Sequence, residues 1–71
     1  MTYQERIRAL REDSDLTQTQ IANLLGIAQT TYSQYEVNTN QMPIKHLITL
    51  CKYYNVSADY ILGFTNIKNK K

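Results

Sequence analysis

The chain has 71 residues, a single cysteine and a formal net charge of +2. A chain this short hides only about 60% of its unfolded surface and cannot build two cores, so it reads as one domain over residues 1–66 with a basic tail at 67–71. Cys51 alone excludes an internal disulfide and suits a reducing cytoplasm, no apolar run approaches the roughly 18 residues of a membrane span, and the opening MTYQERIRALRED is too charged for a secretion signal.

In chain order, the first signal is TYQE. Thr2 can cap a helix while Glu5 reaches back to it, and Ile7 and Leu10 then share one face, which predicts a first helix from about Thr2 to Asp13. LTQTQI repeats the device: Thr17 caps, Gln20 reciprocates, and Leu16 and Ile21 stand where a hydrophobic staple wants them. The second helix ends at Gly26, a residue that accepts a left-handed turn. A third helix, 29–37, follows. The polar stretch VNTNQMP separates it from a fourth, which Pro43 opens and in which Ile44, Leu47, Ile48 and Cys51 form an apolar stripe widened by Leu50 and Tyr54. Ser57 caps a fifth helix, with Asp59 in its first turn, Val56 stapled to Ile61 and Gly63 closing it. No segment alternates with a strand period. The fold is therefore all-α, five short helices.

Two helices joined by a glycine turn inside a small helical domain make a helix-turn-helix. Ala22 is small where the second helix would cross the third, Gly26 makes the turn, and Ile27, Tyr32 and Tyr35 anchor the third helix inward. A 3.6-residue period leaves Gln29, Thr30, Ser33, Gln34 and Val37 together on its outer face. The six tyrosines read mostly as core residues.

Charge is uneven along the chain. Arg6, Arg8 and Arg11 against Glu5 give residues 1–11 a charge of +2; Glu12, Asp13, Asp15 and Glu36 give 12–44 −4; and Lys45, Lys52, Lys68, Lys70 and Lys71 against Asp59 give 45–71 +4. An acidic partner is drawn to the two ends and not to the middle. Enzyme and metal readings are poor: one histidine and one cysteine, His46 and Cys51, stand five apart and off a common helical face. His46 is expected at the surface. No nucleophile–base set or phosphate loop is present, so neither a cofactor nor catalysis is expected.

IRALREDSDLTQTQIANLLGIAQTTYSQYE followed by MPIKHLITLCKYYNVSADYILG resembles the Cro and phage-repressor class of DNA-binding domains, the XRE family, over residues 4–63. The resemblance implies a five-helix, lambda-repressor-like domain that binds double-stranded operator DNA, usually as a homodimer on a pseudo-palindromic site. It places Gln29, Thr30 and Gln34 at base-contacting positions, and Ser33 lies on the same face. Glutamine amides suit adenine's N6 and N7, and threonine methyls suit the thymine methyl. It gives Gln18 and Arg11 to the DNA backbone, with Arg11 also paired to Glu36; Asn38 and Asn40 add neutral donors in the following loop. Two departures stand out. Ala28 occupies the position of a capping serine or threonine, and Asn38 that of a glycine, which asparagine can replace in a left-handed turn.

Leu62, Phe64 and Ile67 are candidates for the dimer surface, or else close the monomer's own core. An alternative on the same scaffold is a protein-interaction module, such as an antitoxin or anti-repressor partner, in which the third helix meets protein or a regulatory protein partner controls the chain.

Overall fold

The structure, a computed structural model, describes residues 2–67. The three tail lysines, Lys68, Lys70 and Lys71, lie outside the described residues. Five helices follow one another: α1 (Tyr3–Asp13), α2 (Gln18–Leu25), α3 (Gln29–Glu36), α4 (Ile44–Tyr54) and α5 (Ala58–Leu62). Both capping boxes form. Glu5 N–H donates to Thr2 Oγ1 at 3.3 Å and Thr2 N–H to Glu5 Oε1 at 2.9 Å; Gln20 and Thr17 exchange the same bonds at 3.1 and 2.8 Å. Ser57 accepts the Tyr60 amide at 3.0 Å. Each bond satisfies an amide that the first turn of a helix leaves without a partner.

Left-handed residues end or follow the helices. Gly26 takes φ +72° and Asn38 takes φ +64°, as expected; Asp15 and Asn55 do the same at φ +58° and +56°. Short polar side chains tolerate this conformation better than other non-glycine residues. A side chain at Gly26 would meet no neighbouring atom, so the demand for glycine there is conformational and not one of space.

Ile7 and Leu10 of α1, Ile21 and Ala22 of α2, Tyr32 and Tyr35 of α3, Leu50 of α4, Val56, and Ile61 of α5 form the core. Tyr32, Ile7, Ile21, Leu50 and Ile61 are fully buried, and burial of each of the four aliphatic ones is worth about 1.5–3 kcal/mol. α2 packs most extensively on α3, and α1 bridges α3 and α5. The helix-turn-helix thus sits on one side of the bundle with its second helix half outside.

α4 departs from the expected phase. Its buried arc is centred on His46 and Leu50 with Leu47, Cys51 and Tyr54 beside them, while Ile44 and Ile48 face outward. The i, i+3, i+4 stripe was therefore rotated by part of a turn. His46, expected at the surface, is 7% exposed and lies against Tyr35 with 6.2 Å between ring centroids. Its imidazole is amphipathic enough to take an inward place that the isoleucines do not.

Burial holds the His46 pKa below its usual value near 6.5, and the neighbouring Lys45 charge adds to the effect. Above that pH the imidazole is neutral in both states. Below it the unfolded chain takes up a proton that the folded chain resists, so stability falls as pH drops from about 6.5, by at most ~1.4 kcal/mol per pH unit. Urea unfolding between pH 7.5 and 5.5 should show this slope, and His46→Gln should flatten it. An unchanged slope in the variant assigns it elsewhere.

Candidate nucleic-acid interface

The outer face of α3 is built by what holds its inner face. Tyr32 and Tyr35 are buried and meet edge to face at 6.2 Å. With those two turned inward, Gln29, Thr30 and Gln34 are exposed and Ser33 is half-buried at the edge. Val37, expected inside the helix, is its C-cap and is exposed. The turn ahead of α3 is fixed by the backbone: Ile27 N–H donates to Ala22 C=O at 3.0 Å and Gly26 N–H to Asn23 C=O at 3.2 Å. Ala22 is buried at this crossing. Ala28 caps α3 in extended conformation without a side-chain bond, so the first amides of α3 are left for solvent or a ligand.

Arg11 and Glu36 form the expected bidentate pair. Arg11 Nε donates to Glu36 Oε2 at 2.7 Å and Nη2 to Oε1 at 3.2 Å, while Nη1 donates to Leu16 C=O at 2.9 Å. Side-chain exposures of 13% and 2% put the pair inside the molecule, unlike Arg8–Glu12, an exposed i, i+4 pair at 3.2 Å worth a few tenths of a kcal/mol. Burial pushes the Glu36 carboxyl up, but the hydrogen bonds from Arg11 and Gln18, the nearby Tyr32 hydroxyl and the Arg11 charge outweigh it and hold its pKa below the usual value. The bond to Glu36 raises the Arg11 pKa in turn. The Tyr32 hydroxyl lies close to the carboxylate without good hydrogen-bond geometry; burial, then the carboxylate, pushes its pKa far up.

Two links had no sequence signal strong enough to find them. Gln18 Nε2 donates to Glu36 Oε1 at 3.1 Å, and Gln29 Nε2 donates to Gln18 Oε1 at 2.6 Å. Gln18 and Gln29 are therefore one unit with the ion pair. In the loop, Gln4 Nε2 donates to Asn38 Oδ1 at 2.8 Å, and Asn40 Nδ2 reaches Gln34 Oε1 at 3.5 Å. The loop amides are thus tied to α1 and to α3.

Arg6, one of the cations of residues 1–11, is not free in solvent. It is 7% exposed, stacks 4.1 Å over the Tyr60 ring, and donates from Nη2 to Asn66 Oδ1 at 2.9 Å. It holds the segment after α5 against α1. Leu62 at the end of α5, and Phe64 and Ile67 in that segment, are exposed, outside the monomer core.

The sequence profile of the helix-turn-helix family matches residues 7–61. The uncharacterized HTH-type transcriptional regulator YobD of Bacillus subtilis is 41% identical over 69 residues, covering 97% of this chain and 62% of YobD. The chain spans about three-fifths of the length of the first curated relatives it matches. A transcriptional regulator from Listeria innocua superposes with TM-score 0.85 at 26% identity, over 99% of this chain and 65% of that one. The P22 c2 repressor protein, in a crystal structure with synthetic operator 9T, superposes with TM-score 0.78 at 29% identity, over 87% of this chain and 94% of that one.

Proposed function

The chain belongs to the helix-turn-helix family of the phage-repressor (XRE) type, and on that premise we propose that it is a sequence-specific, double-stranded DNA-binding transcriptional regulator that acts as a repressor with α3 in the major groove. The observation that carries this reading is the outer face of α3. Gln29, Thr30, Ser33 and Gln34 form a neutral donor–acceptor surface on a helix fixed to α2 by a tight turn. Such a surface suits base edges, whose hydrogen-bonding patterns differ from pair to pair in the major groove. The likeness to an operator-bound repressor supports the same placement.

Gln29, Thr30, Ser33 and Gln34 read bases. Gln18, Arg11, Asn38 and Asn40 set the helix against the backbone, and Gly26, Ala22 and the Arg11–Glu36 pair hold the frame. Residues 1–66 form the binding domain, which works in the cytoplasm, where the DNA is. Two copies address two half-sites about 34 Å apart. The longest dimension of one copy, 32 Å, allows two to lie side by side at that spacing, and the exposed Leu62, Phe64 and Ile67 offer the apolar surface for pairing.

Selection of bound duplexes from a random pool tests this reading, and a two-fold symmetric site would report the dimer. Gln29→Ala and Gln34→Ala should each relax base preference at one position by about 1–3 kcal/mol while binding to random DNA changes little. Equal losses on selected and random DNA contradict base reading. No detectable binding to any duplex at ~50 mM salt, where phosphate contacts are strong, rejects the regulator in favour of a protein-interaction module.

A further inference from the structure

Arg6 is a cation buried without an anion. Its guanidinium stacks over Tyr60 and donates from Nη2 to Asn66 Oδ1 at 2.9 Å, while its Nε is buried without an acceptor among the described residues. No carboxylate of the described residues pairs with it. Resting on the pairing of two copies read above, we propose that Arg6 and Asn66 form a latch that fixes residues 65–67 against α1 and so sets how tightly a second copy of this chain binds. Arg6 is a positioning residue in this scheme, since it is buried and acts through Asn66.

Two restraints follow one another along the segment. Phe64 N–H donates to Asp59 C=O at 2.9 Å and Gly63 N–H to Tyr60 C=O at 3.2 Å, a helix-end motif that fixes Phe64 as an extension of α5. Past Phe64 that motif has no hold. Ile67 N–H donates to Thr65 Oγ1 at 3.2 Å, a bond within the segment, and Asn66 crosses to α1. Phe64 and Ile67 are both exposed, so the two restraints together decide whether they present one apolar surface. A surface arranged before encounter binds more tightly than one that must be ordered during it.

The choice of residue points the same way. A position filled for packing alone favours an aliphatic side chain, because a buried charge carries a desolvation cost that packing does not return. What the guanidinium adds here is a donor for Asn66. Asn66 is itself exposed and lies outside the core, so its replacement leaves the packing of the helices intact.

Sedimentation of the full 71-residue chain over a dilution series measures pairing. Asn66→Ala removes a hydrogen bond to a charged group, which shifts the latch equilibrium by about 10-fold. Both copies must be latched, so the dimer dissociation constant should rise roughly 10- to 100-fold. Arg6→Met should weaken pairing to the same extent with the helices still folded, and adding Asn66→Ala to it should weaken pairing no further, as expected of two residues acting as one unit. Asn66→Asp sets a carboxylate opposite the guanidinium, a bond about twice as strong, and should raise the melting temperature by about 4 °C or more at neutral pH.

A purely structural Arg6 would leave pairing untouched when the exposed Asn66 is changed; a shift under about threefold in Asn66→Ala, or a lower melting temperature in Asn66→Asp, overturns the proposal. Should Arg6→Met fail to fold, the two Asn66 variants carry the test. NMR separates the latch from the pairing reading. Backbone order parameters of residues 65–67 should be near those of the helices in the wild type and fall below about 0.6 in Asn66→Ala; equal values in both overturn the latch. A wild type with this segment ordered that stays monomeric at ~1 mM keeps the latch but rejects the pairing of copies, and the proposed effect with it.

Discussion

Arg11→Met should cost about 3–5 kcal/mol of unfolding free energy at neutral pH, because it strands a buried carboxylate. A domain of this size has on the order of 5 kcal/mol in total, so the variant sits near its unfolding midpoint at room temperature. With each kcal/mol worth roughly 4–8 °C in a small domain, the melting temperature should fall by more than about 12 °C. The wild-type Glu36 carboxyl has a folded pKa below its ordinary value, so its contribution is present above about pH 4.5 and is lost as pH falls through the folded pKa. Without Arg11, burial dominates and the sign reverses: the folded pKa rises above the unfolded one, and stability recovers as acid neutralises the group. The difference between variant and wild type should therefore shrink from pH 7 to pH 5; taking the difference cancels the His46 slope common to both. Replacing Glu36 with leucine in the same chain should restore much of the loss, since an apolar pair can replace a buried ion pair at little cost. A loss below about 1 kcal/mol on urea unfolding would equate this pair with a solvated one such as Arg8–Glu12.

The features legible in the sequence are those whose physics is local. The Thr2–Glu5 and Thr17–Gln20 boxes span four residues, and each closes within its own first turn. Gly26, Asn38 and Gly63 mark helix ends because their conformations depend on few neighbours. The division of α3 into an anchored and an open face follows from one period and two tyrosines. Arg11–Glu36 was legible only through a resemblance, since no local rule joins residues 25 apart in sequence. The phase of α4 was not legible: its apolar residues and a histidine satisfy more than one stripe, and tertiary neighbours such as Tyr35, which lies against the buried His46, accompany the phase in which Ile44 faces out. The place of Arg6 was not legible for a similar reason: Tyr60 and Asn66, distant in sequence, give the guanidinium a stacked and hydrogen-bonded place.

The salt dependence of DNA binding should be shallow for a helix-turn-helix protein of this kind. Residues 12–44, which include α2, α3 and the loop after them, carry no lysine or arginine. Arg11, which reaches the end of α3, already neutralises Glu36, and Arg6 is committed to Tyr60 and Asn66. Two or three phosphate contacts per copy are a reasonable limit, which for a dimer gives a log–log slope of about −4 to −5 at ~0.9 per phosphate. Affinity should then fall roughly 10²- to 10³-fold between 50 and 200 mM salt. A slope near −10 contradicts this and assigns the affinity to the lysines beyond residue 67. Amides and hydroxyls do not release counterions when they meet base edges, so discrimination between selected and random duplexes should depend far less on salt than binding itself does. Raising the salt should therefore weaken both duplexes in parallel and leave their ratio nearly constant. A ratio that collapses with salt would mean that cations, not the face of α3, carry the specificity.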